Sequence, residues 1–344
     1  MDNLTHSLVG ALLGRAGLKR LTPRAMPALI LSANLPDIDS FIARPLGLEP
    51  IAFHRGFTHG VGGLLIMPFV AAGLIWLWDR LRRFKSPPLD GEGQGWGEGR
   101  SHAKRDTHPL PTLPHRGGGI YLPGLILACF LGTLSHPLLD WMNTYGIQLL
   151  APLSGHWFHA DTLFILDPWI WLMLILGLEM SWRAERLGRS WTRPALWAFA
   201  AALGYIGINA AISLRAEALA RPLVARVSEP RIIVAGEVPL EFWKRRIVWR
   251  GDGVGGTGTY EPLKGLNRLA LDSRVYPLNL DDPRLTAAAR ADTRVRGFLA
   301  WSWMPMVDIR GGRALLTDQR FYDDARRIRT DAFRIPLDNG RPSS

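Results

Sequence analysis

Residues 120–141 read IYLPGLILACFLGTLSHPLLDW, an apolar run with a histidine and an aspartate near its end. About 20 predominantly apolar residues are enough for a helix to cross the hydrocarbon core of a bilayer. Three other stretches have this character: 60–79, 167–182 and 194–214. Two shorter apolar segments, 4–18 and 25–42, could form a helical hairpin that only partly crosses the membrane. The sequence therefore predicts a mainly α-helical, polytopic membrane bundle.

Basic residues cluster in three short loops between these segments and predict the orientation of the bundle. The clusters are Arg15, Lys19, Arg20 and Arg24; Arg80, Arg82, Arg83 and Lys85; and Arg183, Arg186, Arg189 and Arg193. The positive-inside rule makes these loops cytoplasmic and predicts a multi-pass protein of the bacterial inner membrane. The opposite ends of the segments then lie together on the outer, periplasmic side. Much of the net charge of +11 is explained in this way, so we do not expect nucleic acid as a partner.

The segment 86–119 interrupts this pattern with a composition dominated by glycine and proline. Such a composition cannot form a packed core, and it predicts a disordered, low-complexity insert. We therefore do not count the three histidines of the insert among the candidate ligands.

The chain changes character again after the last apolar segment. Short alternating runs such as RIIVAGEV (231–238) and FWKRRIVWRG (242–251), divided by Gly, Asp and Pro, are typical of β-strands. The expected organisation is a helical membrane domain at 1–215, followed by a small β-rich soluble domain at 222–335 on the outer side.

The motif SHPLLDWMNTYG (135–146) places His136, Asp140 and Asn143 at helical spacing i, i+4 and i+7. These side chains share one face of a helix, so His136 and Asp140 can bind one cation together. A carboxylate inside an apolar span is costly unless it is paired or metal-bound. A buried hydrogen bond between His136 and Asp140 that only joins helices is the alternative.

Further candidate ligands lie on the same predicted side of the membrane. NLPDID (34–39) contains Asp37 and Asp39, HRGFTHG (54–60) contains His54 and His59, and His6 lies in the first apolar segment. Carboxylates and imidazoles without thiolates suit zinc above all, with manganese or iron as alternatives. We expect a divalent-metal site, of one or two ions, at the outer face of the bundle.

The loop 155–168 contributes three further candidates, His156, His159 and Asp161. Asp161 could complete a coordination sphere, or the three side chains could simply line the entrance. The single cysteine, Cys129, excludes both an intramolecular disulfide and a cysteine-built zinc site.

Together these motifs resemble the YdjM-type membrane-bound metal-dependent hydrolases, over roughly residues 1–215. The motifs that carry the resemblance are HSLVG (6–10), NLPDID, HRGFTH, HPLLDWMNTYG and DTLFILDPW (161–169). That family is distantly similar to zinc-dependent phospholipase C, whose site combines an HxxxD pair with an early His, an Asp and another His. The resemblance implies that His136 and Asp140 are the HxxxD pair, and that the other metal ligands are Asp37, His6 and either His54 or His59.

The function predicted from these observations is hydrolysis of a phosphoester or related bond in a lipid or envelope substrate. Asp39 could be a general base or a bridging ligand, Arg55 could hold a phosphate group, and Asn143 could support the metal ligands. The alternative is a non-enzymatic membrane protein, either a metal transporter or an envelope scaffold. A transporter should carry ionisable residues through the middle of its spans, whereas here they cluster at one end. The sequence leaves the oligomeric state open.

Overall fold

The computed structural model describes residues 1–43, 45, 53–85, 120–322 and 334–337. Its helices are α1 (Asn3–Arg15), α2 (Ala25–Asn34), α3 (Asp39–Ile42), α4 (Val61–Lys85), α5 (Leu122–Trp141), α6 (Pro168–Arg186), α7 (Thr192–Val224), α8 (Pro283–Ala291) and α9 (Thr293–Trp301). Its strands are β1 (Ile232–Glu237), β2 (Arg245–Arg250), β3 (Val254–Tyr260), β4 (Leu269–Pro277), β5 (Pro305–Arg310), β6 (Arg313–Asp318) and β7 (Arg334–Pro336). The segment 86–119, for which the composition predicts disorder, lies outside the described residues.

Two aspartates set the starts of α1 and α6. Asp2 accepts hydrogen bonds from the backbone N–H groups of Leu4 and Thr5, and Asp167 accepts them from Trp169 and Ile170. These bonds satisfy donors that have no partner inside the helix. Pro168 follows Asp167 at a position where its missing N–H costs nothing.

Helix α2 lies between α1 and α5, and glycines permit the close packing. A Cβ on Gly132 of α5 would lie 2.1 Å from Ser32 Oγ and 2.7 Å from the Leu29 carbonyl oxygen. A Cβ on Gly10 of α1 would also lie 2.7 Å from that Leu29 oxygen. Such small-residue contacts are a common way to bring helices together where hydrocarbon surrounds them.

Three helices of the described chain are long and apolar enough to cross a membrane: α4, α5 and α7. They confirm the predicted spans at 60–79, 120–141 and 194–214. The fourth predicted span, 167–182, forms helix α6, but α6 does not qualify by composition. Its second half carries four ionisable residues, Glu179, Arg183, Glu185 and Arg186, which would be costly to place in hydrocarbon.

Helix α7 is longer than its predicted span because its last third packs against protein rather than lipid. Its 33 residues correspond to about 50 Å, whereas the hydrocarbon core is about 30 Å thick. Ala216, Ala220 and Val224 form a buried cluster with Ile247 and Trp249 of β2. The end of α7 therefore supports the first sheet.

The C-terminal half contains two antiparallel sheets. The first has the order β1-β2-β3-β4, and the second has the order β5-β6-β7. In the first sheet Trp249 lies opposite Gly256, where any side chain would collide with the indole ring. The prediction of a β-rich region after the helices is confirmed, although two helices, α8 and α9, separate the two sheets.

Candidate metal centre

Four separate elements bring the candidate ligands together. His6 lies in the second turn of α1, Asp37 in the 3-10 turn Leu35–Ile38, His59 just before α4, and His136 and Asp140 in the last two turns of α5. Pro36 has no N–H to continue the α2 hydrogen-bond ladder, and the backbone tightens at this point into the 3-10 turn.

Asp37, His59, His136 and Asp140 form the central group, which we call the four-residue cluster. One ligand atom from each of them lies within 4.8 Å of all the others. The Nε2 atoms of His59 and His136 are 2.9 Å apart. They lie 3.5 and 3.4 Å from Asp37 Oδ1, and 3.4 and 3.7 Å from Asp140 Oδ2.

The proton positions on the two histidines follow from their other contacts. His136 Nδ1 lies 2.7 Å from the Ala33 carbonyl oxygen, which can only accept, so Nδ1 carries the proton. Thr58 Oγ1 donates its hydrogen bond to Asp39 at 2.6 Å and lies 3.0 Å from His59 Nδ1. It therefore accepts a hydrogen bond from His59, and Nδ1 carries the proton. In the neutral state, both Nε2 atoms then present lone pairs to each other.

Two facing lone pairs at 2.9 Å repel unless a cation lies between them. In a tetrahedral zinc site with bonds of about 2.0–2.1 Å, neighbouring ligand atoms are about 3.3 Å apart. The four distances to Asp37 and Asp140, 3.4–3.7 Å, are close to that value. The donor set and its spacing therefore fit a divalent metal ion.

Asp140 has further neighbours around the cluster. His6 stacks on the His136 ring at 3.8 Å, and its Nε2 lies 3.4 Å from Asp140 Oδ1. Neither ring nitrogen of His6 has a hydrogen-bond partner among the described residues, although the ring is fully buried. The Met1 amino group also contacts Asp140 Oδ1. His6 is therefore a direct neighbour of the four-residue cluster but not one of its members.

Asp39 connects the cluster to a second group of candidate ligands, which comprises Asp37, Asp39 and His54. Its Oδ1 lies 2.8 Å from His54 Nδ1, and its Oδ2 accepts from the Arg55 backbone N–H at 3.0 Å and from Thr58. Burial alone would raise the pKa of Asp39, but hydrogen bonds from His54 and His59 outweigh it and hold that pKa well below its usual range. Asp39 is thus an anionic acceptor that organises the loop 53–60.

Arg55 is buried and neutralises part of the negative charge of the cluster. Its backbone has a φ of 65°, in the left-handed region, with its N–H bonded to Asp39. Its Nε lies 3.0 Å from Asp140 Oδ2, and its Nη1 donates to Asn143 Oδ1 at 2.9 Å. Its guanidinium also lies over the Tyr145 ring. Arg55 therefore pairs with the Asp140 oxygen that also faces the two histidines, and Asn143 holds the Arg55 guanidinium in place.

Asp161 is placed apart from these groups. Its Oδ2 lies 2.6 Å from His159 Nδ1, and the His159 ring stacks on Trp303. Among the described residues, Asp161 belongs to neither group of candidate metal ligands.

Thr58 and the Ala33 carbonyl were not among the predicted site residues, yet they fix the proton positions of His59 and His136. Thr58 directly precedes His59, but its bond to Asp39 joins residues 19 apart. The sequence shows only a threonine inside a histidine-rich loop. That Asp39 is its hydrogen-bond partner follows from the fold.

The fold and the cluster define a class: a helical membrane protein with a buried histidine–aspartate centre of metal-binding geometry. Residues 1–216 match the family model described as YdjM inner membrane protein, and the chain belongs to this family. The family and the three apolar helices support an inner-membrane location. The resemblance of the sequence motifs to the YdjM family is thereby confirmed.

A curated relative is the uncharacterized protein YfhP of Bacillus subtilis (strain 168). The two chains are 22% identical over 190 residues, which is 52% of this chain and 46% of YfhP. The chain thus spans about half the length of the curated relative that it matches. No solved structure matches the chain.

Proposed function

We propose that this protein is a membrane-embedded, metal-dependent hydrolase that acts on a phosphoester or related bond of a lipid or envelope substrate. The single observation that carries the proposal is the pair of histidine Nε2 atoms 2.9 Å apart, both of which face the carboxylates of Asp37 and Asp140. A merely structural His–Asp pair would instead place a proton between donor and acceptor.

Asp37, His59, His136 and Asp140 would hold the ion, and zinc fits this donor set and spacing best. When bound, such an ion supplies a Lewis acid that neutralises charge developing on a phosphoryl oxygen and acidifies water. The group Asp37, Asp39 and His54 offers a second position for an ion.

The surrounding residues have distinct positioning roles in this proposal. Asp39 holds His54, the Arg55 backbone and Thr58, so its oxygens are occupied, which favours positioning over general-base action. Arg55 orients Asp140 and offsets its charge, and Asn143 holds Arg55 in place. Because Arg55 is only 3% exposed, we assign it to the support of Asp140 rather than to a phosphate of the substrate.

Access to the cluster is from the side of Asp37 and His54, whose side chains are 13% and 23% exposed. The other ligands of the four-residue cluster have no exposed side-chain surface. A substrate phosphate would therefore approach over Asp37 and His54.

We further propose that the site and the C-terminal sheets face the periplasm. The packing of the basic loops supports this orientation: Arg15, Lys19 and Arg20 all lie over the ring of Trp191, and Arg24 pairs with Asp79 near the end of α4. The three basic loops thus share one end of the bundle. His6 lies about 14 Å from Arg15 along α1, at the other end.

Hydrolysis of a chromogenic phosphodiester and of phospholipids in mixed micelles, with defined metals added to the detergent-purified protein, tests the proposal. We expect activity that requires zinc or another divalent ion and that is lost in His136→Ala. Metal-replete protein that hydrolyses neither substrate, but moves the ion across vesicle membranes, would instead support the transporter alternative.

A further inference from the structure

The segment Leu35–Ile42, which carries Asp37 and Asp39, has two opposite faces. The two carboxylates point into the protein, and Asp39 is 1% exposed. The apolar side chains between and after them point outward, with Ile38 at 40%, Phe41 at 76% and Ile42 at 39% exposure. This arrangement is the reverse of what a water-facing turn requires.

Phe57, in the loop between His54 and His59, is a further exposed apolar side chain beside the candidate ligands. It is 41% exposed, and its ring packs against Gly62 in the first turn of α4, where a Cβ would lie 2.4 Å from the ring. Farther along α4, Leu65 and Phe69 are 66% and 60% exposed, as expected of a span that faces lipid. We call Ile38, Phe41, Ile42 and Phe57 the apolar rim.

A tryptophan next to the cluster indicates that the apolar rim lies near the membrane interface. Trp141, the last residue of α5, is 37% exposed and directly follows Asp140. Tryptophan is enriched where a span meets the headgroup region. Because exposed apolar surface of this kind is unfavourable in water, hydrocarbon is the medium that suits it. The ligand cluster is therefore bordered by lipid.

We infer that the substrate is a bilayer phospholipid, whose phosphate headgroup reaches the cluster sideways across the apolar rim while its acyl chains stay in the membrane. This inference rests on the proposed function and narrows its substrate class. Asp37, on the exposed edge of the cluster, is directly followed by Ile38 of the rim. An opening bordered in this way favours an amphiphile over a soluble envelope molecule.

A spin label on Phe41→Cys tests whether the rim contacts lipid. The single cysteine, Cys129, is buried, and Cys129→Ala provides the background. The protein is studied in vesicles of phosphatidylglycerol and phosphatidylethanolamine. We expect oxygen, which dissolves in the bilayer, to speed the spin relaxation of the label at 41 more than a water-soluble nickel chelate does. A label on Asp252→Cys, at a polar side chain 61% exposed in the β2–β3 turn, should show the reverse.

A phospholipid with a photoactivatable headgroup tests docking itself, without any need for turnover. We expect it to cross-link to residues 37–43 and 53–59, and Phe41→Asp should reduce this yield about tenfold, equivalent to ~1.4 kcal/mol, because the carboxylate opposes the approach of a lipid. Leu263→Asp, the matched control, should leave the yield unchanged.

Nickel access at position 41 equal to that at 252, or cross-linking indifferent to Phe41→Asp, would overturn the inference. Metal content measured on the same samples separates this failure from failure of the proposed function. Protein with bound metal and a water-exposed rim refutes only the phospholipid route. Protein without metal that still cross-links at the rim refutes the hydrolase and leaves the lipid contact standing.

Discussion

Thr58 provides the sharpest test of the cluster because it is not itself a candidate ligand, yet it decides where the His59 proton lies. Its hydroxyl donates to Asp39 at 2.6 Å and accepts from His59 Nδ1 at 3.0 Å. The substitution Thr58→Val keeps the shape of the side chain and removes both bonds. His59 Nδ1 then keeps only Asp39 Oδ2, at 3.4 Å, as an acceptor, and its Nε2 is held less firmly free of a proton.

The expected magnitude follows from the position of Thr58 behind a metal-ligating histidine. Loss of such a partner typically lowers metal affinity or activity by about 10–100-fold, which corresponds to ~1.4–2.7 kcal/mol. Competition with a chromophoric chelator measures the affinity directly. Thr58→Ser, which keeps the hydroxyl, should restore most of it.

Thr133 supplies a matched control on α5. Its buried hydroxyl has no hydrogen-bond partner among the described residues, and it lies one turn before His136. Thr133→Val should therefore leave metal affinity unchanged. If Thr58→Val and Thr133→Val bind metal equally well, the proton assignment on His59 is wrong, and with it the argument for a cation between the histidines.

The remaining predictions concern the ligands, the orientation and one buried acid. His136→Ala should lose bound metal by elemental analysis, whereas Asn143→Ala should keep most of the metal and lose activity; equal metal loss in both would make Asn143 a ligand. Reporter fusions should place residue 189 in the cytoplasm and residue 230 outside, and a cytoplasmic residue 230 would contradict the proposed orientation. Burial raises the pKa of Glu237 from 4.5 to about 8, so its ionisation destabilises the fold increasingly as the pH rises through that window. Glu237→Gln should therefore raise the melting temperature at pH 8 and not at pH 4.5, which thermal unfolding in detergent will check.

The spans were predictable from the sequence where composition alone decides the outcome. A lipid-facing helix must satisfy its own backbone and present apolar side chains, so α4, α5 and α7 follow from hydropathy. Helix α6 shows the limit of that reasoning, because Glu185 contacts Arg15 and Lys19 of a distant loop. Ion pairs of this kind depend on the fold and are invisible in a hydropathy window.

The candidate site was predictable in its residue types but not in its grouping. Helical spacing placed His136 and Asp140 on one face, and the apolar surroundings made them functional candidates. Spacing could not choose between His54 and His59, because the choice depends on how the loop before α4 folds around Asp39. The same loop turns Arg55 inward, so that its guanidinium pairs with Asp140, an orientation that the sequence alone does not predict.

Metal analysis of the protein purified in detergent tests the central claim most directly. Wild-type protein, equilibrated with zinc and then dialysed, should retain at least about one divalent ion per chain, as expected of a site with four protein ligands. The variant His136→Ala, treated in the same way, should retain none at the four-residue cluster. Wild-type protein that keeps no more metal than this variant would contradict the account.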